Sequence, residues 1–193
     1  IDLGTNPYLT RMVASNPDIY PSIFSRVFAL KLVLVLGYLL SIVVIGGVWL
    51  ANTPLEWMML LICAFIHVGI SFILLFRSVF QAFQAFGWDG IASVIDKISF
   101  LFVLSFLFSL PTLGIIVYSS SFLVVTFLSA LFLCWLVVRK YGFSVLHFRR
   151  ADLFASARMG FPFAVLFVLS SFNERIGQVL LAILSGDYES GLY

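Results

Sequence analysis

Five apolar runs, each near the roughly twenty residues that a helix needs to cross a bilayer, dominate this chain. They occupy residues 27–51, 57–76, 90–109, 113–138 and 159–186. Inside hydrocarbon every backbone N–H and C=O must be satisfied by the chain itself, so spanning segments are helices or closed barrels. A barrel strand alternates apolar with polar positions, whereas these runs are continuous, which leaves the helix. Composition agrees. The chain is 62% hydrophobic and 10% charged, far from the roughly 25% charge of soluble domains, and its mean hydropathy is +1.13. The expected fold is all-α, a polytopic transmembrane helix bundle with five complete spans.

The third and fourth runs nearly fuse. Ser109-Leu110-Pro111-Thr112 offers the best turn between them, because Pro111 cannot continue a helix and biases Leu110 away from helical geometry. A turn at 118–121 is the alternative and keeps the same topology. Ahead of the first run, Asp2-Leu3-Gly4 through Arg11 reads as the tail of an earlier helix. The chain opens on Ile1-Asp2 without an initiator Met and stops at Gly191-Leu192-Tyr193, so it reads as a piece of a longer protein.

Charge placement gives an orientation. Arg11 and Arg26 precede the first span, Lys31 lies just inside its start, and Arg77 and Lys97 flank the link between the second and third. Arg139, Lys140, Arg149, Arg150 and Arg158 crowd the link between the fourth and fifth. The opposite ends hold Glu56, Asp187 and Glu189 without a Lys or Arg. Ten of the eleven cations thus fall on one side, which the positive-inside bias makes cytoplasmic. The longest link, 142–158, mixes Phe143, Leu146, Phe148 and Leu153 with His147, Arg149 and Arg150. It suits either a helix lying in the headgroup layer or a solvated loop held by anionic lipid.

The eleventh cation is the exception. Glu174 and Arg175 stand in the middle of the last run, where an ionised group costs about 2.5–3.5 kcal/mol on insertion scales. Ser171, Glu174, Gln178, Ala182 and Ser185 recur at three- and four-residue spacing and form one small, polar stripe beside Arg175. Arg175 keeps its proton and needs water, a carboxylate or an anionic ligand. Two readings follow, a cavity-lining stripe or a Glu–Arg pair that locks two helices together. Arg11, by the same logic, is a topology anchor or a ligand-contacting residue, and Arg26, Lys31, Arg77 and Lys97 read as anchors. His67, flanked by Ile66 and Val68, is expected to be a core histidine bonded to a neighbouring helix. Cys63 and Cys134, inside separate runs, are expected to be small packing residues. Phe80, Phe83 and Phe86 at spacing three suit packing or an interfacial aromatic belt.

Several chemistries are set aside. The sequence contains no phosphate-binding G-x-x-x-x-G-K-[ST] loop and no His/Cys cluster with metal spacing. The expectation is therefore neither an enzyme nor a cofactor protein. Its basic residues follow membrane topology and form no nucleic-acid stripe.

Residues 172–193 resemble the seventh-helix signature of the polysaccharide (oligosaccharide) flippases, of the multidrug/oligosaccharidyl-lipid/polysaccharide exporter superfamily. The matching features are Arg175, Leu180-Leu181, Gly186 and Gly191-Leu192-Tyr193. Asp2-Leu3-Gly4 with Arg11 resembles the end of that family's second helix. Phe80-Gln81-Ala82-Phe83 through Asp96-Lys97 resembles its link between helices four and five. One position departs: Gly177 stands where the family usually carries Asp, and Glu174 is a candidate substitute.

The resemblance implies a two-lobed transporter around a central cationic cavity. Residues 1–141 would form most of the first lobe, 142–158 an interfacial linker, and 159–193 the first helix of the second lobe. It implies translocation of lipid-linked oligosaccharide across the plasma membrane by alternating access, with an undecaprenyl-type lipid-linked glycan and a possible coupling ion as partners. Arg175, Glu174, Gln178, Ser171 and Arg11 would line the cavity. The alternatives are an exporter of drugs or cell-wall precursor lipids from the same superfamily, or an integral-membrane glycan polymerase or ligase.

Overall fold

A computed structural model describes residues 4–47, 53–108 and 115–142, Asp2, and positions 158, 160–166, 169, 170, 172, 176 and 177; for residues 96, 106–108 and 115 it describes the backbone alone. The described residues include five complete α-helices and one 3-10 turn, α1 (Thr5–Ser15), the turn (Pro17–Ile19), α2 (Tyr20–Ile45), α3 (Pro54–Ala82), α4 (Phe86–Phe108) and α5 (Ile115–Tyr141), with further helical residues at 160–166. The all-α membrane-type fold is as expected. Three helical segments, Pro17–Ile45, Pro54–Ala82 and Ile116–Tyr141, are long and apolar enough to cross a membrane. The other two expected spans fall on α4 and on the partly described stretch beyond residue 158.

Local chemistry sets the boundaries. Asn16 precedes Pro17 and is extended at φ −150°, which ends α1, while its side chain accepts from the Asp18 N–H at 3.2 Å. Thr53 opens α3 with a reciprocal cap: its hydroxyl accepts from the Glu56 N–H at 3.3 Å, and the Glu56 carboxylate accepts from the Thr53 N–H at 3.2 Å. Pro54 follows at the first turn, where its missing N–H costs nothing. At the other end Gln84 takes the left-handed conformation, φ 55°. The Ala85 N–H then reaches back to the Phe80 carbonyl at 2.8 Å and the Gln84 N–H to Gln81 at 3.0 Å, closing α3 with a tight reversal into α4.

These boundaries correct the span limits. Three helices overrun the apolar runs at the basic end: α2 begins at Tyr20 rather than residue 27, α3 continues to Ala82 and α5 to Tyr141. Aromatic packing holds the overrun together. Tyr20 meets Phe83 edge-on at 5.3 Å between centroids, and Phe83 stacks on Tyr141 at 4.1 Å and 8°. Phe80 is fully buried in the same cluster, whereas Phe86 is exposed. The Phe run is thus packing at its first two positions and surface at the third.

Residues 118–121 are helical, so the alternative turn there is excluded. The preferred turn at 109–112 lies outside the described residues.

Helix α3 is the centre of the assembly and touches each of the other four. Its face toward α5 is cut close. A Cβ at Gly69 would lie 2.7 Å from the Thr126 methyl, so glycine lets the two helices approach. The buried core joins Leu9 and Val13 of α1, Phe24 and Val27 of α2, Leu75 and Val79 of α3, and Leu133 and Val137 of α5. The outer face of α2 leaves Val33, Leu36, Leu40 and Val44 exposed, as lipid contact requires. Cys63 is exposed on α3 rather than a buried packing residue, while Cys134 is half-buried against the core.

Candidate functional site

The earlier start of α2 moves Lys31. It stands eleven residues inside the helix, roughly 16 Å from the first turn at 1.5 Å per residue. It is therefore no flanking anchor. Its side chain is fully buried, and among the described residues its Nζ has no hydrogen-bond partner. Burying an amine without a hydrogen-bond partner costs roughly several kcal/mol when it is charged, and Asp2 supplies a favourable charge.

Polar and apolar side chains mix around it. Lys31 lines a cavity of about 470 Å³ between α1, α2 and α3, together with Asp2, Asn6, Tyr38, His67 and Ser71. Asn6 repeats the pattern of Lys31, since its Oδ1 is buried and has no partner among the described residues. Asp2 brings the carboxylate. Its Oδ1 accepts from the Thr5 N–H at 2.9 Å and from the Thr5 hydroxyl, which ties off the start of α1. His67 is exposed and faces this cavity; it is not the core residue expected from its apolar neighbours.

A second cavity, about 490 Å³, adjoins the first; Asn6, Pro7 and Leu74 belong to both walls. It holds Thr10, Arg11, Arg77 and Gln81. Arg11 is exposed in that wall. Arg77 is not a simple anchor, because its guanidinium clamps Asp89 of α4, Nε to Oδ1 at 2.5 Å and Nη2 to Oδ2 at 3.4 Å. Gln81 Nε2 donates to the same carboxylate at 3.1 Å. Asp89 precedes the apolar run of α4. Burial alone would raise its pKa, but the hydrogen bonds from Arg77 and Gln81 and the guanidinium charge outweigh that and hold it below the usual carboxylate value. The α3–α4 reversal is thereby latched at the basic end.

At the head of α1, Gly4 adopts φ +68°, a conformation that L side chains rarely take. A Cβ there would lie 2.3 Å from the Gly160 carbonyl oxygen and 2.6 Å from the Ala164 nitrogen. Gly4 thus lets the helical residues 160–166 press directly on the end of α1, beside Asp2 and the first cavity. Lys97 is also displaced from its expected flank and sits eleven residues inside α4, exposed.

Compared with known families, the chain matches the profile described as "Polysaccharide biosynthesis protein" over residues 1–193, its whole length. It belongs to that family. Neither the curated proteins nor the solved structures returned a match. Membership in the polysaccharide biosynthesis family fits the resemblance carried by Arg175 and Gly191-Leu192-Tyr193, and the family consists in general of transporters. Apolar spans and family together mark a membrane protein of polysaccharide biosynthesis.

Of the residues that the sequence put forward for the cavity, Arg175, Glu174, Gln178 and Ser171 lie outside the described residues. Arg11 is in a cavity wall. Lys31, Asn6 and Asp2 were missed as a site. Their signal was present in Lys31, a lysine followed by an unbroken apolar helix, once the start of α2 is placed at Tyr20.

Proposed function

We propose that the protein is a translocase for lipid-linked oligosaccharide or polysaccharide precursors, moving an anionic headgroup through a polar passage without covalent chemistry. The observation that carries this reading is the buried Lys31 Nζ, without a hydrogen-bond partner among the described residues, beside a cavity in a polysaccharide biosynthesis family member. A phosphate or diphosphate linking glycan to prenyl carrier supplies the charge and the acceptor oxygens that Lys31 lacks. Arg11, in the adjoining cavity, extends the cationic path toward the basic end. On this reading the basic links are cytoplasmic and the membrane is the plasma membrane.

The second lobe begins at residue 159, joined by the linker 142–158 to a first lobe of 1–141, and brings Arg175, Glu174, Gln178 and Ser171 to the same passage. The prenyl tail stays in lipid while rocking of one lobe on the other moves the headgroup. Gly4 is the contact about which that rocking is felt, because residues 160–166 rest on it. Glu174 serves as the proton or cation site if an ion gradient drives the cycle. An exporter of cationic drugs calls for an acid-lined cavity; Lys31 and Arg11 favour an anionic cargo.

The test is Arg175→Ala in the intact protein. Glycan export should be lost while the protein accumulates in membranes at near-normal level. Loss of accumulation would point instead to a helix-locking Glu–Arg pair.

A further inference from the structure

The basic end carries a second recess, separate from the polar cavities, and its chemistry is that of a phosphate site at the lipid boundary. It is about 480 Å³ in volume and is walled by Phe80 of α3, Trp88 of α4, and Leu136, Arg139 and Lys140 of α5. We propose that this recess binds the headgroup of an anionic phospholipid, distinct from the transported cargo.

Three observations support it. First, neither cation is neutralised by a carboxylate among the described residues; each lies on an aromatic face instead. The Arg139 guanidinium is 5.2 Å from the Trp135 ring centre, and the Lys140 ammonium is 5.1 Å from Trp88 and 5.4 Å from Tyr141. A cation–π contact fixes the position of the charge and leaves N–H donors for phosphate oxygens. Asp89, the nearby carboxylate on the first turn of α4, is already held by Arg77 and Gln81. Second, the recess sits where spans end. Arg139 and Lys140 occupy the last turn of α5 and Trp88 the first turn of α4, which is headgroup depth. Third, its surroundings grade from charged to apolar. Trp135, Leu131 and Leu128 are exposed on α5 toward mid-membrane, a path for acyl chains below a headgroup held by Arg139 and Lys140. Basic pockets between spanning helices recognise anionic headgroups by this combination.

The recess does not depend on the transport reading, and its test is separate from export. Full-length protein in neutral detergent is titrated with dioleoyl phosphatidylglycerol or dioleoyl phosphatidylcholine, and bound lipid is counted by native mass spectrometry. Wild-type protein should retain one more phosphatidylglycerol than phosphatidylcholine. Arg139→Gln/Lys140→Gln should lose that extra lipid with roughly thirtyfold weaker binding, two surface cations' worth of attraction. Arg139→Lys/Lys140→Arg, which keeps both charges, should retain it and covers the case in which the glutamine pair fails to fold. Trp88→Leu should weaken retention by several-fold. Equal retention by wild type and the glutamine pair overturns the site. Displacement of the lipid by inorganic phosphate at equal concentration would reassign it to a soluble anion and overturn the lipid assignment.

Discussion

Lys31 on α2 and Asn6 on α1 face one cavity, and each buries a polar atom, Nζ and Oδ1, that meets no partner among the described residues. Two such atoms in one place are destabilising as they stand. A fold that keeps them is arranged for something that arrives from outside. Replacing Lys31 by Met, of similar length but apolar, should therefore raise stability by about 1–3 kcal/mol, because the desolvation cost disappears. Thermal unfolding of the intact protein in detergent measures this. A Lys31→Met variant that melts well below wild type would make Lys31 a structural residue.

Gly4 predicts a large effect from a small change. Gly4→Ala places a methyl within 2.3 Å of the Gly160 carbonyl oxygen and forces alanine to φ +68°. The strain alone costs about 1 kcal/mol or more, and the backbone oxygen cannot rotate away. The melting temperature should fall, and protease cleavage within 142–158 should accelerate as residues 160–166 lift from α1. Unchanged cleavage and melting would mean that this contact is absent in the working protein.

The α3–α5 contact gives a compensating pair. Gly69→Ala should destabilise by about 1–3 kcal/mol, since its methyl meets that of Thr126 at 2.7 Å. Thr126→Ser removes the obstructing methyl and keeps the hydroxyl that donates to the Phe122 carbonyl at 2.8 Å. The double variant should recover most of the loss. Strict additivity of the two single effects would show that the helices are not in contact there.

Asp89 sets an acid limit on the latch between α3 and α4. Its pKa lies below that of an unfolded carboxylate, so its contribution is complete above the ordinary carboxylate range and is lost as pH falls through the lower, folded value. The pair is partly exposed, so the effect is modest. The Asp89→Asn variant should melt lower than wild type at neutral pH, and the difference should shrink below about pH 4. A difference that persists unchanged in acid would assign the latch to packing rather than charge.

How far the sequence carried varied with the kind of signal. Continuous apolar runs announced helices and membrane because backbone satisfaction in lipid allows little else. Boundaries failed where apolarity and helix diverge. Tyr20 through Arg26 is polar enough to end a hydrophobic run, yet Pro21 at the first turn and the Tyr20–Phe83–Tyr141 cluster keep it helical. Seven residues of error turned Lys31 from a buried group into an apparent anchor. His67 failed in the other direction, because apolar neighbours along a helix do not say which face a residue occupies. Asp89 went unremarked since its partners, Arg77 and Gln81, meet it only through the reversal at Gln84. The stripe around Arg175 was legible as periodicity, and its geometry lies outside the described residues.

The most direct measurement is headgroup translocation by the intact protein in proteoliposomes, followed by accessibility of a labelled prenyl-diphosphate glycan to a membrane-impermeant reagent. Wild type should move the lipid, Lys31→Arg should retain most of the rate, and Lys31→Met should lose at least about tenfold while remaining folded, the cost of one charge-assisted contact. Translocation by Lys31→Met at the wild-type rate would contradict the account, because the buried ammonium would then have no cargo to meet.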